Sequence, residues 1–232
     1  MAADIGMNKL NQAPPMKQKD IFLQTEGDAW SQRNQKCVAQ RKLPDGDAIL
    51  REILDLPLLG KEGGEPLRVL EVGCGDGRRL SWLQTNMNME CFGIEPSAQA
   101  VAIACDRGID VRQGTADKLP FADNTFDIVI FGFCLYLCDR SDLFLIAAEA
   151  DRVLRSPAWL LILDFFSPVS RSRAYHHKPG VLSFKMDYRM LFTWHPDYEC
   201  MTHKVRHHLK SICTDDSEEW VGLSVIRKYP NV

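Results

Sequence analysis

The chain has 232 residues, of which 45% are hydrophobic and 25% are charged, and these are the values of an ordinary soluble globular protein. They exclude a disordered chain, and 15 glycines with 12 prolines exclude a collagen-like one. The formal net charge of -3 provides no basic surplus. We therefore expect neither a general nucleic-acid binder nor a protein attracted to anionic membranes.

The first 20 residues are polar, include Pro14 and Pro15, and show little apolar periodicity, which predicts a mobile tail over 1–20. They contain no apolar core of the kind that defines a signal peptide. The longest uncharged run in the apolar part of the chain, 128–138, is shorter than the ~20 residues that span a bilayer. We therefore expect a cytoplasmic protein with no membrane partner. The eight cysteines form no CxxC pair, which favours buried, reduced thiols.

Residues 21–232 are expected to form a single domain that begins with an N-terminal helical lid over 21–64. Within this lid, Asp47 can cap a helix, and apolar residues follow at the spacing of one helical face: Ile49, Leu50, Ile53 and Leu54. Pro57 would end that helix.

Short apolar runs alternate with amphipathic segments in the predicted core, 65–163. The runs predict strands over 67–72, 91–95, 109–112, 126–133 and 158–163, and the intervening segments predict helices over 78–86, 98–107 and 141–154. Near-continuous apolar strands alternating with helices predict an α/β fold, a doubly wound, Rossmann-like parallel sheet covered on both faces. An irregular insert over 164–198 would follow, and a closing β-hairpin over 199–232 would complete the domain.

The segment VLEVGCGDG (69–77) carries the strongest local signal, because an apolar strand runs into Gly73, Gly75 and Gly77 just before a helix. Glycine permits unusual backbone angles and lets a ligand approach the main chain closely. The N-terminus of the following helix favours a carboxylate or a phosphate. For the glycines alone, a tight turn without a ligand stays open as an alternative. The pattern is GxGxG and not the dinucleotide fingerprint GxGxxG, because Arg78 occupies the third position of the latter.

Two acidic residues follow strands of the same sheet. Glu95 ends the second predicted strand, where a carboxylate can accept hydrogen bonds from both hydroxyls of an adenosine ribose. Asp117 lies just past the third strand, where it either accepts from the exocyclic amine of an adenine or caps a helix. The glycine turn and Glu95 together indicate an adenosine-containing ligand.

Four motifs, VLEVGCGDG, GIEPS (93–97), GTADKLPFADNTFDIV (114–129) and ADRVL (150–154), resemble the class I S-adenosylmethionine-dependent methyltransferases, especially the bacterial type-11 group. The resemblance covers about residues 22–164. It implies a seven-stranded, mostly parallel sheet whose last strand is antiparallel. It also implies S-adenosyl-L-methionine as the cofactor and S-adenosyl-L-homocysteine as the product.

The resemblance assigns cofactor-binding roles to residues of these motifs. The three glycines, with Cys74 among them, would line the methionine end, and Glu71 would approach the amino group. Glu95 and its neighbour Pro96 would hold the ribose, and Ala116 and Asp117 would hold the adenine.

The upstream segment EGDAWSQRN (26–34) also resembles this group, in which a Trp-x-x-Arg-Asn stretch folds over the cofactor. By this likeness Trp30 would shield the sulfonium or the adenosine, and Arg33 would pair with the methionine carboxylate, to which its fork can bind bidentately. Position 31 is Ser where the group leads us to expect an aromatic residue. A solvated helical face is the alternative for Trp30 and Arg33.

Methyl transfer requires an acceptor nucleophile in line with the donor, exclusion of water and, for a hydroxyl or a protonated amine, a base. Phe133 and Cys134, at the end of the fourth strand, would lie beside the sulfonium. Tyr136 would face the acceptor or pack in the core. This strand end lacks the Asn/Asp-Pro-Pro-aromatic stretch of enzymes that methylate nucleic-acid bases.

The insert is expected to form the acceptor pocket, because aromatic walls with a few polar groups are typical of small-molecule sites. It contains eight aromatic residues: Phe165, Phe166, Tyr175, Phe184, Tyr188, Phe192, Trp194 and Tyr198. A helical cap over the sheet edge is the alternative. His176 or His177 is the general-base candidate, since histidine titrates near pH ~6.5.

Three histidines raise the question of a metal. The three are His203, His207 and His208. Zinc-spaced thiolates are missing, and no carboxylate lies close by in sequence. On one strand face, His203 and His207 would lie ~13 Å apart. We therefore expect no metal.

We accordingly predict a methyltransferase that moves the donor methyl group to an oxygen or nitrogen of a small polar metabolite or a sugar-like acceptor, with no nucleic-acid partner. The oligomeric state stays open. An NAD(P)-dependent oxidoreductase on a similar sheet is one alternative, although a Tyr-x-x-x-Lys pair is missing. A non-catalytic cofactor-binding scaffold is the other.

Overall fold

The computed structural model describes residues 16–57, 64–210 and 212–230. In these residues the chain forms nine strands: β1 (Arg68–Val72), β2 (Glu90–Glu95), β3 (Asp110–Gln113), β4 (Phe126–Gly132), β5 (Leu154–Phe165), β6 (Arg171–Ala174), β7 (Leu182–Lys185), β8 (Tyr198–His207) and β9 (Trp220–Lys228). The α-helices are α1 (Gln18–Ile21), α2 (Gly27–Gln40), α3 (Ala48–Asp55), α4 (Arg78–Met87), α5 (Ala98–Asp106), α6 (Leu143–Val153) and α7 (Met190–Thr193). A π-helical turn, Phe22–Glu26, joins α1 to α2.

Seven of these strands form one sheet in the order β3-β2-β1-β4-β5-β9-β8. Strands β1 to β5 pair in parallel, and β9 runs antiparallel to both of its neighbours, β5 and β8. This confirms the predicted mostly parallel, seven-stranded sheet with an antiparallel last strand. Strand order reverses at β1, which lies between β2 and β4. Ligands of doubly wound sheets bind at such a switch point, outside the carboxyl ends of the strands.

The sheet is buried on both faces because its strands alternate two apolar sets. On β4, Val129 and Phe131 pack on the face covered by α6 and α7. Ile128 and Ile130 pack on the opposite face, which α3, α4 and α5 cover. Because successive side chains of β4 face two buried sides, the strand is apolar along its length except at Asp127.

The capping residues of two helices agree with their sequence signals. The Asp47 carboxylate accepts from the backbone N–H groups of Ile49 and Leu50 at the start of α3, and Ser97 accepts from Ala100 at the start of α5. Each cap satisfies helix N–H groups that have no partner within the helix. The caps fix where these helices begin at the edge that carries the glycine turn.

The structure differs from the sequence predictions in three places. Residues 16–20 are not a tail, because α1 begins there and Gln18 is buried and donates to the carbonyl of Leu137. The insert contains the hairpin β6–β7 and the short helix α7, where the sequence indicated irregular structure. The eight cysteines are free thiols, but only Cys74 and Cys91 are fully buried. The predictions for residues 1–15, 58–63 and 231–232 lie outside the described residues.

Candidate functional site

The glycine turn joins β1 to α4 at the switch point of the sheet. Gly73, Gly75 and Gly77 all have positive φ, at 75°, 55° and 71°, a region that residues with a Cβ rarely adopt. A Cβ on Gly73 would lie 2.7 Å from the Cβ of Cys134, and one on Gly77 would lie 2.8 Å from the Cβ of Ala104. A Cβ on Gly75 would meet nothing within 4 Å. The protein's own packing therefore excludes side chains at the outer two glycines, whereas the space beside Gly75 is open.

Glu95 reaches this turn from the neighbouring strand β2. Its carboxylate accepts from the backbone N–H of Gly75 at 2.9 Å and from that of Ser97 at 2.9 Å. Burial raises the pKa of Glu95 to about 7, although both N–H donors favour the ionised form. The structure thus places Glu95 beside Gly75, although the two residues are 20 positions apart in sequence.

Glu71, in the middle of the same edge, belongs to a buried charge cluster that the sequence analysis missed. Arg79 forms ion pairs with Glu71 and with Asp47. Burial raises the pKa of Glu71 to about 7 although the Arg79 charge opposes this. The second carboxylate oxygen of Glu71 is buried and has no hydrogen-bond partner in the structure. This oxygen is available to a cationic or N–H donor.

The end of β4 lies beside the glycine turn and is conformationally strained. Phe133 has a φ of 56°, which is uncommon for a bulky residue and typical of functional sites. Its N–H donates to the carbonyl of Leu163 at 2.8 Å. Burial raises the pKa of the Cys134 and Cys74 thiols well above the usual value, so both stay protonated and neither is a nucleophile.

The helix α2 lies over this edge and places the two lid residues. Trp30 donates from its indole N–H to the hydroxyl of Tyr136 at 3.2 Å. Arg33 forms an ion pair with the buried carboxylate of Glu26 and donates to the Tyr175 hydroxyl at 3.2 Å. Trp30 and Tyr136 thus join the lid to the end of β4, and Arg33 joins it to the insert. Glu26 carried no sequence signal that separated it from a surface acid.

Asp117 and Ala116 lie at the end of β3, under the N-terminal helix α1. Asp117 accepts from the Thr115 hydroxyl at 2.6 Å and forms an ion pair with Lys19. Burial opposes ionisation of Asp117, but these partners hold its pKa below the usual range. Ala116 is buried among the apolar residues of the core, and the Pro96 carbonyl accepts from Gln113 at 3.0 Å.

The insert carries the two histidines proposed as bases. Tyr175 is buried, whereas His176 and His177 are exposed in the turn between β6 and β7. Desolvation and the nearby Arg33 charge lower the pKa of His177. Both effects favour the uncharged form of His177, which a base requires.

Asp164 at the end of β5 is a further buried acid, and the sequence analysis gave it no role. Its carboxylate accepts from the backbone N–H groups of Leu135 at 2.8 Å and Tyr136 at 3.3 Å. Burial raises its pKa to about 7. Asp164 thereby fixes the turn that carries Tyr136. The signal that identified Glu95, an acid ending an apolar strand, also applies to Asp164.

Comparisons with known proteins agree with this geometry. Residues 70–162 match the family described as "Methyltransferase domain". An uncharacterized methyltransferase, YcgJ of Bacillus subtilis, is 31% identical over 109 residues, which are 44% of this chain and 42% of that protein. The fatty-acid O-methyltransferase of Mycolicibacterium smegmatis is 35% identical over 105 residues, 43% of this chain and 38% of that protein. The matched segment thus spans about two fifths of these relatives' length.

Solved structures share the fold over more of the chain. The 1,6-didemethyltoxoflavin-N1-methyltransferase of Burkholderia thailandensis, solved with its acceptor and S-adenosylhomocysteine bound, superposes with a TM-score of 0.67 over 97% of this chain and 94% of that chain, at 16% identity. A methyltransferase from Methanosarcina mazei gives a TM-score of 0.61 over 77% of this chain and 98% of that chain, also at 16% identity. The match over residues 70–162 and these similarities support the class I S-adenosylmethionine-dependent methyltransferase family. Within the described residues, none of the helices has the length and apolar composition that a membrane crossing requires.

Proposed function

We propose that the protein is an S-adenosylmethionine-dependent methyltransferase that acts in the cytoplasm on an oxygen or nitrogen of a small polar, sugar-like acceptor. The open space beside Gly75 is the observation that carries the proposal. Packing and positive φ both exclude a side chain at Gly73 and Gly77, whereas at Gly75 only the positive φ of 55° disfavours one, and the space around it is open. A ligand can therefore approach the main chain closely at Gly75.

The residues around this space fit the family's cofactor. The ionised Glu95 would accept from the ribose hydroxyls, and Gly73, Cys74 and Gly75 would line the methionine end. The unpartnered oxygen of Glu71 suits the cofactor's ammonium group. When bound, the cofactor supplies a methyl group activated by its positive sulfur.

Two residues would have to release their present ion-pair partners when the cofactor binds, one at its adenine end and one at its methionine carboxylate. Asp117 would exchange Lys19 for the adenine amine, with Ala116 and Pro96 beside it. Arg33 would exchange Glu26 for the methionine carboxylate. Since α1 and α2 carry Lys19 and Arg33, the lid would move with these exchanges, and Trp30 would then cover the cofactor.

The acceptor would bind between the lid and the insert, next to Phe133 and Cys134. Burial raises the pKa of Tyr136, so its hydroxyl would orient the acceptor by hydrogen bonding. His176 or His177 would accept a proton from an acceptor hydroxyl or ammonium group. A closed lid would exclude water from the transfer.

A matched pair of glycine substitutions tests the proposal. Gly75→Ala is expected to weaken S-adenosylhomocysteine binding at least ~10-fold, because the new methyl group fills the space the ligand needs. Gly108→Ala is the control, since Gly108 also has positive φ, at 80°, and open space around it, but lies in the turn after α5. Both variants carry the same backbone strain of about 1–2 kcal/mol. Titration calorimetry would measure affinity, and equal affinity of the two variants would contradict the proposal.

The affinity for S-adenosylhomocysteine is expected to increase with pH. Glu95 must be ionised to accept two hydroxyl hydrogen bonds, and its pKa in the unliganded protein is about 7. At about pH 6 only about a tenth of the protein is in this form, so binding should be about tenfold weaker there than at about pH 8. Glu71→Gln would separate the contribution of Glu71, whose pKa burial also raises to about 7. Calorimetric affinity that falls as pH increases would contradict the role of Glu95.

A further inference from the structure

Two histidines and a glutamate meet at the end of the β8–β9 hairpin. His207 ends β8 and pairs in register with Trp220, the first residue of β9. Glu219 immediately precedes Trp220, and the backbone N–H of His208 donates to the carbonyl of Glu219 at 2.9 Å. The antiparallel register therefore places a carboxylate beside a His-His pair that lies 11 residues away in sequence. The sequence analysis expected no carboxylate near these histidines.

The side chains of this cluster converge on a common point. One ligand atom from each of His207, His208 and Glu219 lies within 4.8 Å of the other two. Nε2 of His207 is 3.7 Å from Oε2 of Glu219, and Nδ1 of His208 contacts the same oxygen. The two imidazole rings are stacked, with 5.4 Å between their centroids and 8° between their planes.

Neither Nδ1 of His208 nor Oε2 of Glu219 is in a hydrogen bond of normal geometry, although both atoms are buried and touch each other. Buried polar atoms that lack hydrogen bonds are costly unless another partner satisfies them.

We infer that His207, His208 and Glu219 bind one divalent transition-metal ion of the zinc class. Two imidazole nitrogens and one carboxylate oxygen are a ligand set that such ions favour, and three protein ligands leave a coordination position open. His207 is the weakest of the three ligands, because the Leu209 N–H donates to its Nδ1 at 3.0 Å. Its Nε2 therefore carries the proton, and metal binding would break that hydrogen bond.

The cluster lies near the edge of the sheet that carries the proposed acceptor pocket. The ring of His208 lies 5.9 Å from that of Phe165, which lies 4.9 Å from that of Tyr136. His208 and Glu219 are only partly exposed. An oxygen of a bound molecule could therefore reach the open coordination position, but the inference of metal binding does not depend on the proposed methyl transfer.

Titration of tag-free, chelator-treated and desalted protein with ZnCl₂ and with CoCl₂ tests this inference. We expect one saturable binding event by calorimetry, and cobalt absorption bands without a thiolate charge-transfer band. His208→Ala and Glu219→Gln should each weaken binding at least ~10-fold, and His207→Ala should weaken it less. Glu219→Gln keeps the shape of the side chain and so tests the charge in a folded protein, which thermal unfolding would verify.

Two control variants separate this site from other metal-binding groups. The double variant His176→Ala/His177→Ala removes a second His-His pair, whose rings are 3.7 Å apart but exposed, and should bind as the wild type does. Cys213→Ser removes the thiol that accepts from Arg206 at 3.0 Å, and should also leave binding unchanged. Absence of saturable binding, or binding that survives both His208→Ala and Glu219→Gln, would overturn the inference. Loss of binding in Cys213→Ser would overturn it as well.

Discussion

Replacing Glu95 by alanine is expected to weaken the binding of S-adenosylhomocysteine by about one to two decades. The carboxylate is held in the glycine turn by the N–H groups of Gly75 and Ser97, where we propose that it binds the ribose. Loss of hydrogen bonds to a charged acceptor costs about 1.5–3 kcal/mol, and 1.4 kcal/mol corresponds to a factor of ten in affinity. Calorimetric titration of the full chain would measure this loss.

Glu90→Ala is the matched control, because Glu90 begins the same strand that Glu95 ends. Glu90 is exposed and pairs with Arg68 at 3.0 Å, far from the glycine turn along β2. Its loss should leave the affinity unchanged. Glu95→Gln, which retains one acceptor oxygen, should lie between the wild type and Glu95→Ala. If Glu95→Ala binds as tightly as Glu90→Ala, Glu95 does not hold the ligand.

Replacing Arg79 by methionine is expected to lower the free energy of unfolding by about 3–5 kcal/mol, because the buried Glu71 loses its counterion and the buried Asp47 keeps only Arg41, at 3.5 Å. The Asp47 and Glu71 side chains are 3% and 2% exposed, and Arg79 is 10% exposed. Asp47 also caps α3, so that the damage would reach the helix that covers one face of the sheet. Urea unfolding would measure the change.

Arg107→Met provides the comparison for Arg79→Met. Arg107 pairs with Asp76 at 3.0 Å but is 38% exposed, and such surface pairs contribute about 0–1 kcal/mol. A loss of stability as small in Arg79→Met as in Arg107→Met would show that the buried carboxylates do not depend on Arg79.

The destabilisation of Arg79→Met is also expected to depend on pH. Without Arg79, the pKa of Glu71 in the folded protein, which burial already raises to about 7, would rise further above the unfolded value, and the pKa of Asp47 would rise as well. The folded state would then bind more protons than the unfolded state, so stability would fall as pH increases through the folded pKa. The variant should therefore lose less stability relative to the wild type at about pH 5 than at about pH 8. A loss that is larger at the lower pH would contradict this account.

Local sequence patterns predicted most of the fold and the centre of the candidate site. The apolar run before Gly73 predicted β1, and the acid that ends the next run predicted Glu95 at the same edge. Both predictions rest on the period of the strand and on the rule that parallel strands end at one edge. These signals are contained within a few residues, and tertiary packing did not have to be known.

The structures of the lid and the insert were harder to predict from the sequence, because they depend on contacts with residues that are distant in the sequence. Residues 16–20 looked like a tail, but Gln18 hydrogen-bonds the Leu137 carbonyl across 119 residues of sequence. Polar residues without periodicity give no local sign of such contacts. The positions of Trp30 and Arg33 beside Tyr136 and Tyr175 likewise depend on how the lid packs on the insert.

The sequence by itself determined the sheet, its glycine turn and the acid that meets it, because periodicity and glycine placement act over a few residues. Only the tertiary structure decided which charges are partnered. In the folded protein, Arg79 forms ion pairs with Glu71 and Asp47, and Arg33 forms one with Glu26. The pairing of β8 with β9 also places Glu219 beside His207 and His208. No carboxylate lies near these histidines along β8 itself. Ion pairs and ligand clusters require side chains a few ångströms apart, and strand register and helix packing, not distance along the sequence, bring them there.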